Sequence, residues 1–368
     1  MEPTGKIKVL HVINSLACGG IQRQMINLVK ALPQDRFESS IISFDDRIFF
    51  DGLENITVKT LSRSPFFALT APFQTARFIN SLKPDIIHVW NIFALPVIYA
   101  AWPFLKIKPA LINGVLREAP LRMPLPKKLI SLTFNFHKCV VANSESSLAS
   151  FGQTGKKGRH IIYNGFDSST LSTLSKQEAS ERLGFPIDKT KAAMIASLSE
   201  LKDHETFIKA AKLCIEKTDD MIFYIVGDGP MRQNLESLVQ SLSMENKVIF
   251  TGFRKDTAAI LRAVDISVLL SPPSHSEGFP NSILESLANG IPSVATNSGG
   301  SAELIKNGQN GFLIPSSSPE ALRDRLLELK NSPSLYDKMA LNARVSANRF
   351  SNDNMANEFA VLYKVLYS

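Results

Sequence analysis

The amino-acid sequence predicts an α/β protein with two doubly wound domains, each built on a parallel sheet, and a cleft between them. The chain has 368 residues, which is too long for one ordinary hydrophobic core. Short aliphatic or β-branched runs such as "DIIHVW" and "AAMIAS" alternate with amphipathic segments such as "IQRQMINLVKAL" and "ETFIKAAKLC". Continuous apolar runs separated by helices are typical of parallel strands that are covered on both faces.

The predicted strands fall into two groups along the chain. In the amino-terminal half they are KIKVLHVI, SSIISF, ITVKTL, DIIHVW, ALINGV, KCVVAN and RHIIYN, and in the carboxy-terminal half AAMIAS, IFYIVG, KVIFTGF, DISVLL, PSVAT and GFLIP. A polar stretch at 166–191 interrupts the pattern and marks the domain junction. We therefore expect an amino-terminal domain over 1–170 and a second domain over 171–350. The last segment, 351–368, reads as a helix that braces back toward the first domain.

Composition and charge limit the kind of partner. With 44 % hydrophobic and 20 % charged residues the chain is typical of a soluble enzyme, and no apolar run is long enough to span a bilayer. The three cysteines lack metal-ligand spacing, which favours a reducing cytoplasm. Residues 1–165 hold 20 Lys and Arg against 10 Asp and Glu, whereas 166–368 hold 21 against 24.

The basic surplus of the first half suits an anionic partner, either acidic lipid headgroups at the inner membrane face or a phosphorylated acceptor. The alternative is a solvated basic face without a partner. Nucleic acid is disfavoured because the basic stretches lack interleaved aromatic residues and carry no nucleic-acid motif.

The stretch "SPPSHSEGFPNSILESLANGIPSVATNSGG", residues 271–300, holds two glutamates, Glu277 and Glu285. It predicts a loop at the carboxyl end of a strand, followed by a short helix with Asn281 as its N-cap. Backbone N–H groups at such a helix start favour an anion, and a carboxylate beside it accepts hydrogen bonds from sugar hydroxyls. The alternative is that both glutamates are solvated surface charges.

Two glycine-rich turns are further candidates. Gly19 and Gly20 stand where the first strand turns into the first helix, so they either let a phosphate or sugar approach the backbone or serve the turn alone. "YIVGDGPMR" is similar to a dinucleotide fingerprint, but Arg232 occupies its third glycine position. The histidines form no H-x-x-x-H pair and no D-x-D occurs, so neither a metal nor another cofactor is expected.

The 271–300 stretch closely resembles the E-x7-E signature of the retaining glycosyltransferases of family four, which have the GT-B fold. "HVINSLACGGIQRQMINLVKAL", "DIIHVW", "VVANSESS" and "IIYNGFD" are similar to the amino-domain blocks of that family. "SLSELKDHETFIKAA", "YIVGDGPMR" and "VIFTGFRKD" are similar to its donor-domain blocks, in the same order. The resemblance implies a metal-independent hexosyltransferase that moves a sugar from a nucleotide-diphospho-sugar, such as a UDP-sugar, to a glycan or lipid-linked acceptor in polysaccharide synthesis.

The resemblance also implies roles for single residues. Glu277 would contact the donor sugar, Glu285 the ribose, and Lys202 the diphosphate, so that Glu277 and Lys202 are the catalytic candidates. Phe253 and Arg254 would present backbone groups to the base, and Gly227 would permit a tight turn under the donor. The full set of donor-binding candidates is Gly19, Gly20, Ser197, Lys202, Gly227, Phe253, Arg254, Glu277, Gly278, Phe279, Pro280, Asn281, Ser282 and Glu285.

The chain departs from the family pattern in two places. Ser197 stands where an arginine is usual, so the diphosphate would depend on Lys202, on loop amides, or on Arg254 or Arg117. The block "ALINGVLREAP" lacks the usual histidine, which leaves Asn113, Arg117 and Glu118 as acceptor-side candidates. Two alternatives follow: another GT-B enzyme, namely a nucleotide-sugar epimerase or a phosphorylase, or a non-catalytic protein that binds a sugar nucleotide.

Overall fold

The computed structural model describes residues 5–61, 66–116, 118–119, 133–134 and 137–368, with the backbone alone for Glu118 and Ala119. The chain divides into two compact units. The first comprises Met1–Arg117, Leu121–Gly165 and Asn352–Ser368, and the second Glu118–Pro120 and Phe166–Ser351. The division at Gly165 lies slightly before the expected boundary at residue 170, and the end of the chain belongs to the first unit.

The first unit is built on a seven-stranded parallel sheet with the order β3-β2-β1-β4-β5-β7-β8. Its strands are β1 (Ile7–Ile13), β2 (Phe37–Ser43), β3 (Thr57–Thr60), β4 (Ile86–Val89), β5 (Ala110–Leu116), β7 (Cys139–Ala142) and β8 (Arg159–Ile161), and β6 (Glu118–Ala119) pairs elsewhere. Its first helices are α1 (Gly20–Ala31), α2 (Phe67–Leu82), α3 (Leu95–Ala101) and α4 (Glu145–Ser150), with a 3-10 turn at Trp102–Phe104.

The second unit is built on a six-stranded parallel sheet with the order β11-β10-β9-β12-β14-β15. Its strands are β9 (Thr190–Ile195), β10 (Met221–Val226), β11 (Val248–Gly252), β12 (Ile266–Leu269), β14 (Ser293–Thr296) and β15 (Gly311–Ile314). The short strand β13 (Ser276–Glu277) lies outside this sheet and pairs with β6. The helices of the second unit are α5 (Lys176–Leu183), α6 (His204–Ile215), α7 (Arg232–Ser241), α8 (Thr257–Ala263), α9 (Asn281–Ala288), α10 (Ser301–Leu304), α11 (Pro319–Asn331) and α12 (Pro333–Ala347), with 3-10 turns at Ser168–Thr170 and Asn348–Phe350. The last helix, α13 (Asn352–Tyr367), belongs to the first unit.

Every apolar run that predicted a strand coincides with a strand of one of these two sheets. Strands β4, β12 and β14 are buried at every position, as expected for parallel strands with helices on both faces. The predicted class of two doubly wound α/β domains is therefore confirmed. Over the described part of the chain, no helix combines the length and apolar character needed to cross a membrane.

The order of the second sheet locates its ligand-binding edge. Strands β9, β10 and β11 run outward in one direction, and β12, β14 and β15 run outward in the other. The connections therefore reverse direction between the adjacent strands β9 and β12. In open parallel sheets, ligands bind beyond the carboxyl ends of the strands at such a reversal. We therefore expect the loops that follow Ile195 and Leu269 to form the ligand-binding site of the second unit.

Helix α13 packs on the first sheet, although it comes from the end of the chain. Its Phe359 and Tyr363 are buried, and the Phe359 ring lies 5.2 Å from the ring of His88. The Tyr363 hydroxyl is hydrogen-bonded to His88 Nδ1 at 2.8 Å. Apolar burial and the buried hydrogen bond to His88 thus hold the end of the chain on the first unit. In the same unit, the Gln24 amide on α1 bonds both backbone groups of Gly165, at 2.8 and 2.9 Å.

Replacing Tyr363 with phenylalanine tests this attachment. The variant leaves His88 Nδ1 without its tyrosine partner in a buried position, so we expect the free energy of unfolding to fall by about 1–3 kcal/mol. Tyr367→Phe is the matched control because Tyr367 lies one turn later on the same helix and is 42 % exposed. Urea denaturation should separate the two variants, and equal stabilities would show that the buried hydrogen bond contributes nothing.

Candidate active site

Two loops of the second unit meet at the reversal between β9 and β12. The loop after β9 carries Lys202 and ends at Asp203, whose side chain caps α6 by accepting the Thr206 N–H at 3.1 Å and its hydroxyl at 2.8 Å. The Asp203 N–H donates to the Leu270 carbonyl, 3.0 Å away, at the end of β12. This hydrogen bond fastens the two loops together, and it fixes Lys202 beside the loop that leads to Glu277.

Glu277 and Lys202 form an ion pair through Oε1 and Nζ. Both side chains are largely buried, with 17 % and 16 % of their surface exposed, and His275 Nε2 lies 3.7 Å from the same oxygen. Burial by itself would raise the pKa of the Glu277 carboxyl. The Lys202 ammonium, together with His275, outweighs burial and lowers that pKa to about 2. Glu277 is therefore ionised at neutral pH and acts as a hydrogen-bond acceptor, not as a proton donor.

Two glycines that the sequence analysis did not assign hold the Glu277 loop in place. The Gly300 N–H donates to the Glu277 carbonyl at 2.9 Å. A Cβ on Gly300 would lie 1.9 Å from the Gly278 carbonyl oxygen, and one on Gly299 would lie 2.2 Å from that of Glu277. Gly299 also has φ +55°, a conformation that favours glycine. The signal in the sequence was the "SGG" triplet, which reads as an ordinary turn until its partner loop is known.

The backbone of β13, which carries Glu277, pairs antiparallel with β6. Ser276 lies opposite Ala119, and Glu277 lies opposite Glu118. Glu118, an expected acceptor-side residue, thus reaches the Glu277 strand through its backbone. Arg117, the neighbouring candidate, lies outside the described residues.

Helix α9 begins at Asn281, and its N-cap is Pro280. The prediction that Asn281 is the N-cap is therefore wrong by one position: Pro280 has extended dihedrals, with φ −74° and ψ 115°, and Asn281 is the first helical residue. No described side chain caps this helix start, and its first turn holds no acid. The Phe279 side chain is buried against Phe350, with ring centroids 5.1 Å apart. Among the residues predicted to bind the donor, Phe279 therefore offers its backbone rather than its ring.

Ser282 and Glu285 lie on the first turns of α9. The Ser282 carbonyl accepts the Ser286 hydroxyl at 2.7 Å, and that hydroxyl lies 2.8 Å from the hydroxyl of Ser267 on β12. Glu285 is half-buried, one turn inside the helix. The buried serine contacts fix the helix on the sheet and hold Glu285 on the partly exposed side.

Ser197 and Gly227 belong to two loops that lie side by side. Ser197 is exposed, and its hydroxyl lies 3.3 Å from that of Ser199. A Cβ on Gly227 would lie 2.0 Å from the Ala196 carbonyl oxygen, and Gly227 has φ +147°. Only glycine lets the backbone pass this close. The turn after β10 is thus set by contact with the loop that carries Ser197.

Phe253 and Arg254 follow β11, and Phe253 is 52 % exposed. The Arg254 guanidinium makes two hydrogen bonds to Asp256, at 2.8 and 2.6 Å. This pairing raises the pKa of Arg254 and lowers the pKa of Asp256. As a replacement for the arginine missing at Ser197, Arg254 would first have to leave Asp256.

Three other expected residues lie in the first unit. Gly19 is the N-cap of α1, and Gly20 is its first residue. Gly19 has φ 178°, an extended conformation open to any residue, so its dihedrals alone do not require glycine. Asn113 is fully buried on β5, where its Oδ1 accepts the Val115 N–H at 3.3 Å. Among the described residues, no three His, Cys, Asp or Glu side chains are grouped to hold a metal ion.

Two family models match the chain. "Glycosyl transferases group 1" matches residues 175–346, and "Glycosyltransferase Family 4" matches residues 18–170. The putative glycosyltransferase EpsD of Bacillus subtilis is 28 % identical over 326 residues, which cover 82 % of this chain and 83 % of EpsD. The UDP-Gal:alpha-D-GlcNAc-diphosphoundecaprenol alpha-1,3-galactosyltransferase of Escherichia coli is 26 % identical over 333 residues, 84 % of each chain.

A solved structure supports the fold assignment. HepE of Anabaena, in complex with UDP and glucose, superimposes with a TM-score of 0.84 at 24 % identity, over 97 % of this chain and 99 % of HepE. At that identity the likeness shows the fold. The two matched models together cover both Rossmann-like units, and the fold agrees with that of HepE. The chain therefore belongs to the family 4 glycosyltransferases and has the GT-B fold.

Proposed function

We propose that this glycosyltransferase is a retaining, metal-independent enzyme that takes its sugar from a nucleotide-diphospho-sugar bound by the second unit. The observation that carries the proposal is the Lys202–Glu277 ion pair at the reversal of the second sheet. It joins a cation and an ionised carboxylate where α/β sheets bind their ligands. A nucleotide-diphospho-sugar needs both, because its diphosphate is anionic and its sugar presents hydroxyl donors.

The charges of the pair assign each group its task. Glu277 stays ionised, so it accepts hydrogen bonds from hydroxyls of the donor sugar. Lys202 stabilises the negative charge that develops on the nucleoside diphosphate as it leaves. The start of α9 adds backbone N–H groups and the positive end of the helix dipole. Lysine and helix start together supply the electrostatic stabilisation that a metal ion supplies in other transferases.

The reaction proposed is displacement on one face of the sugar. The bond between the anomeric carbon and the β-phosphate oxygen breaks, and the acceptor hydroxyl oxygen bonds to that carbon from the same side. The hydroxyl proton passes to the departing phosphate oxygen, so no protein base is required. With a pKa of about 2, the Glu277 carboxylate is too weak a base to be an effective general base at neutral pH.

Other residues complete the proposed donor site. Glu285 would bind the ribose hydroxyls, and the backbone of Phe253 and Arg254 would face the base. Gly278 and Asn281 would bring amides to the sugar and the diphosphate. Ser197 offers no charge, so the diphosphate would depend on Lys202 and the amides of α9.

The relatives suggest the donor and the acceptor. HepE was solved with UDP-glucose, and the Escherichia coli relative is named for a UDP-galactose donor and a diphosphoundecaprenol-linked acceptor. Another relative, WclY of Escherichia coli, is named for O-antigen biosynthesis. We therefore propose a UDP-sugar donor and a lipid-linked anionic glycan acceptor in cell-surface polysaccharide synthesis. The enzyme would act in the cytoplasm, with its basic amino-terminal unit at the inner membrane face.

Glu277→Gln tests the proposed sugar contact. The amide keeps the size of the side chain but loses the charge, and we expect transfer from a UDP-sugar to fall by about 100-fold or more. Glu205→Gln is the matched control because Glu205 also pairs with a lysine of the second unit, Lys209, at an exposed position. Melting temperatures identify any loss of fold. Wild-type turnover by a folded Glu277→Gln variant would remove Glu277 from the mechanism.

Lys202→Met tests the diphosphate contact. Because methionine keeps most of the length without the charge, we expect the affinity for UDP to fall by about tenfold or more, while that for uridine stays unchanged. Calorimetric titration with both ligands measures this. Equal losses for UDP and uridine would mean that Lys202 holds the loop and not the diphosphate.

Product analysis tests retention and metal independence together. A UDP-α-sugar should yield an α-linked product, and the anomeric proton coupling in the NMR spectrum reports the configuration. Turnover should be unchanged after removal of divalent ions with EDTA. A β-linked product would exclude retention, and loss of activity restored by Mg²⁺ or Mn²⁺ would exclude metal independence.

A further inference from the structure

The first unit carries a cluster of exposed apolar side chains, which we call the aromatic face. It consists of Phe66, Leu69, Phe73, Phe104 and Ile107, which are 67, 70, 57, 49 and 41 % exposed. Scattered exposed hydrophobic residues are common on protein surfaces, whereas a contiguous group marks an interaction site.

The face is contiguous because α2 and the 3-10 turn pack side by side. Leu69 and Phe73 follow Phe66 at helical spacing, so the three form one stripe along α2, and the Phe73 ring lies 4.7 Å from the Phe104 ring. The other side of α2, with Ala71, Thr75, Ala76 and Ile79, is buried. The stripe therefore points away from the core of the unit.

Hydrogen bonds fix the two segments relative to each other. The Asn80 amide on α2 donates to the Phe104 carbonyl at 3.0 Å and accepts the Lys106 N–H at 2.8 Å. The arrangement is thus preformed.

Basic residues border the face. Arg77 follows Phe73 by one turn, and Lys106 and Lys108 flank Ile107, all three exposed. Lys108 also lies over the Trp102 ring, with Nζ 5.5 Å from the centroid. Between residues 66 and 116 the sequence has one acid, Asp85, and its carboxylate accepts the Lys8 N–H at 2.8 Å. The face therefore combines aromatic side chains with three exposed basic side chains, in a stretch of sequence that holds a single acid.

We infer that the aromatic face docks on an anionic phospholipid bilayer. Phenylalanine, leucine and isoleucine side chains enter the boundary of the acyl chains, while lysine and arginine stay at the level of the headgroups. A second copy of the chain fits less well, because a two-fold interface would bring bases close to bases. The inference rests on the proposed function in one respect: a lipid-linked acceptor is located at the bilayer, so the enzyme has to reach the bilayer surface to bind it.

Vesicle flotation with the full-length chain tests the inference. The wild type should float with vesicles of phosphatidylcholine that contain about one-third phosphatidylglycerol, because anionic lipid gives the vesicle surface a negative potential. It should not float with vesicles of phosphatidylcholine alone. Phe73→Ala/Phe104→Ala should reduce partitioning by about tenfold or more. Arg77→Glu/Lys106→Glu should reduce it by at least about 30-fold, which is about 1 kcal/mol for each of two lost charges.

Matched controls separate location from composition. Leu341→Ala/Val345→Ala removes two apolar side chains of α12 that are each 64 % exposed, and Lys217→Glu/Lys306→Glu changes the net charge equally in the second unit. Both controls should float like the wild type. If the controls lose binding as the face variants do, general charge or hydrophobicity explains it and the inference fails.

Two further outcomes would overturn the inference. One is a wild type that does not float with anionic vesicles. The other is unchanged flotation of the face variants with a shift from dimer to monomer in light scattering, which would make the face a self-association surface. Glu277→Gln should float normally, and the face variants should bind UDP normally. Failure of docking is thus distinguishable from failure of the proposed chemistry.

Discussion

The ion pair between Lys202 and Glu277 is the contact on which the candidate site depends. Breaking a buried ion pair by removing one partner typically costs about 3–5 kcal/mol, because the remaining charge is left uncompensated. The ion pair therefore adds to the hydrogen bond that joins the two loops, and removal of one charge would leave the other uncompensated. The Asp203 hydrogen bond to Leu270 and the close contacts at Gly299 and Gly300 hold the backbones at the separation that the pair requires. The Lys202 side chain is thereby held in one orientation, beside Glu277.

The sequence was sufficient to predict the sheets, because parallel strands buried on both faces leave apolar runs that local reading detects. The two-residue strands β6 and β13 are too short to leave such a run, and their pairing depends on residues far apart in the chain. The contacts of Gly299 and Gly300 were missed for the same reason. Asn281 was a reasonable N-cap by residue type, but the loop before α9 places the proline there instead.

The candidate site was only partly readable. Lys202 and Glu277 are 75 residues apart, and no rule of sequence spacing predicts that they meet. Their roles were predicted from the resemblance of the ordered blocks to the family. The order of the strands supplies the physical reason for their contact, because β9 and β12 are neighbours in the sheet. Arg254 illustrates the opposite case. The sequence places Arg254 in a block that is similar to the donor domain of the family. In the structure, however, its guanidinium makes two hydrogen bonds to Asp256 in the turn after β11. Whether a cation is available depends on loop geometry, which composition does not contain.

The two units are suited to anions by different physical means. Residues 166–368 have slightly more acids than bases, so a nucleotide-diphospho-sugar would gain little from the overall field there and would depend on Lys202 and a helix start. Such short-range contacts in a partly buried site are weakly screened by salt. Residues 1–165 have twice as many bases as acids, and a diffuse positive field attracts an extended anionic surface from beyond contact distance. That attraction weakens beyond about 8 Å at physiological salt. A soluble donor that must be recognised atom by atom therefore suits the second unit, and an extended partner suits the first.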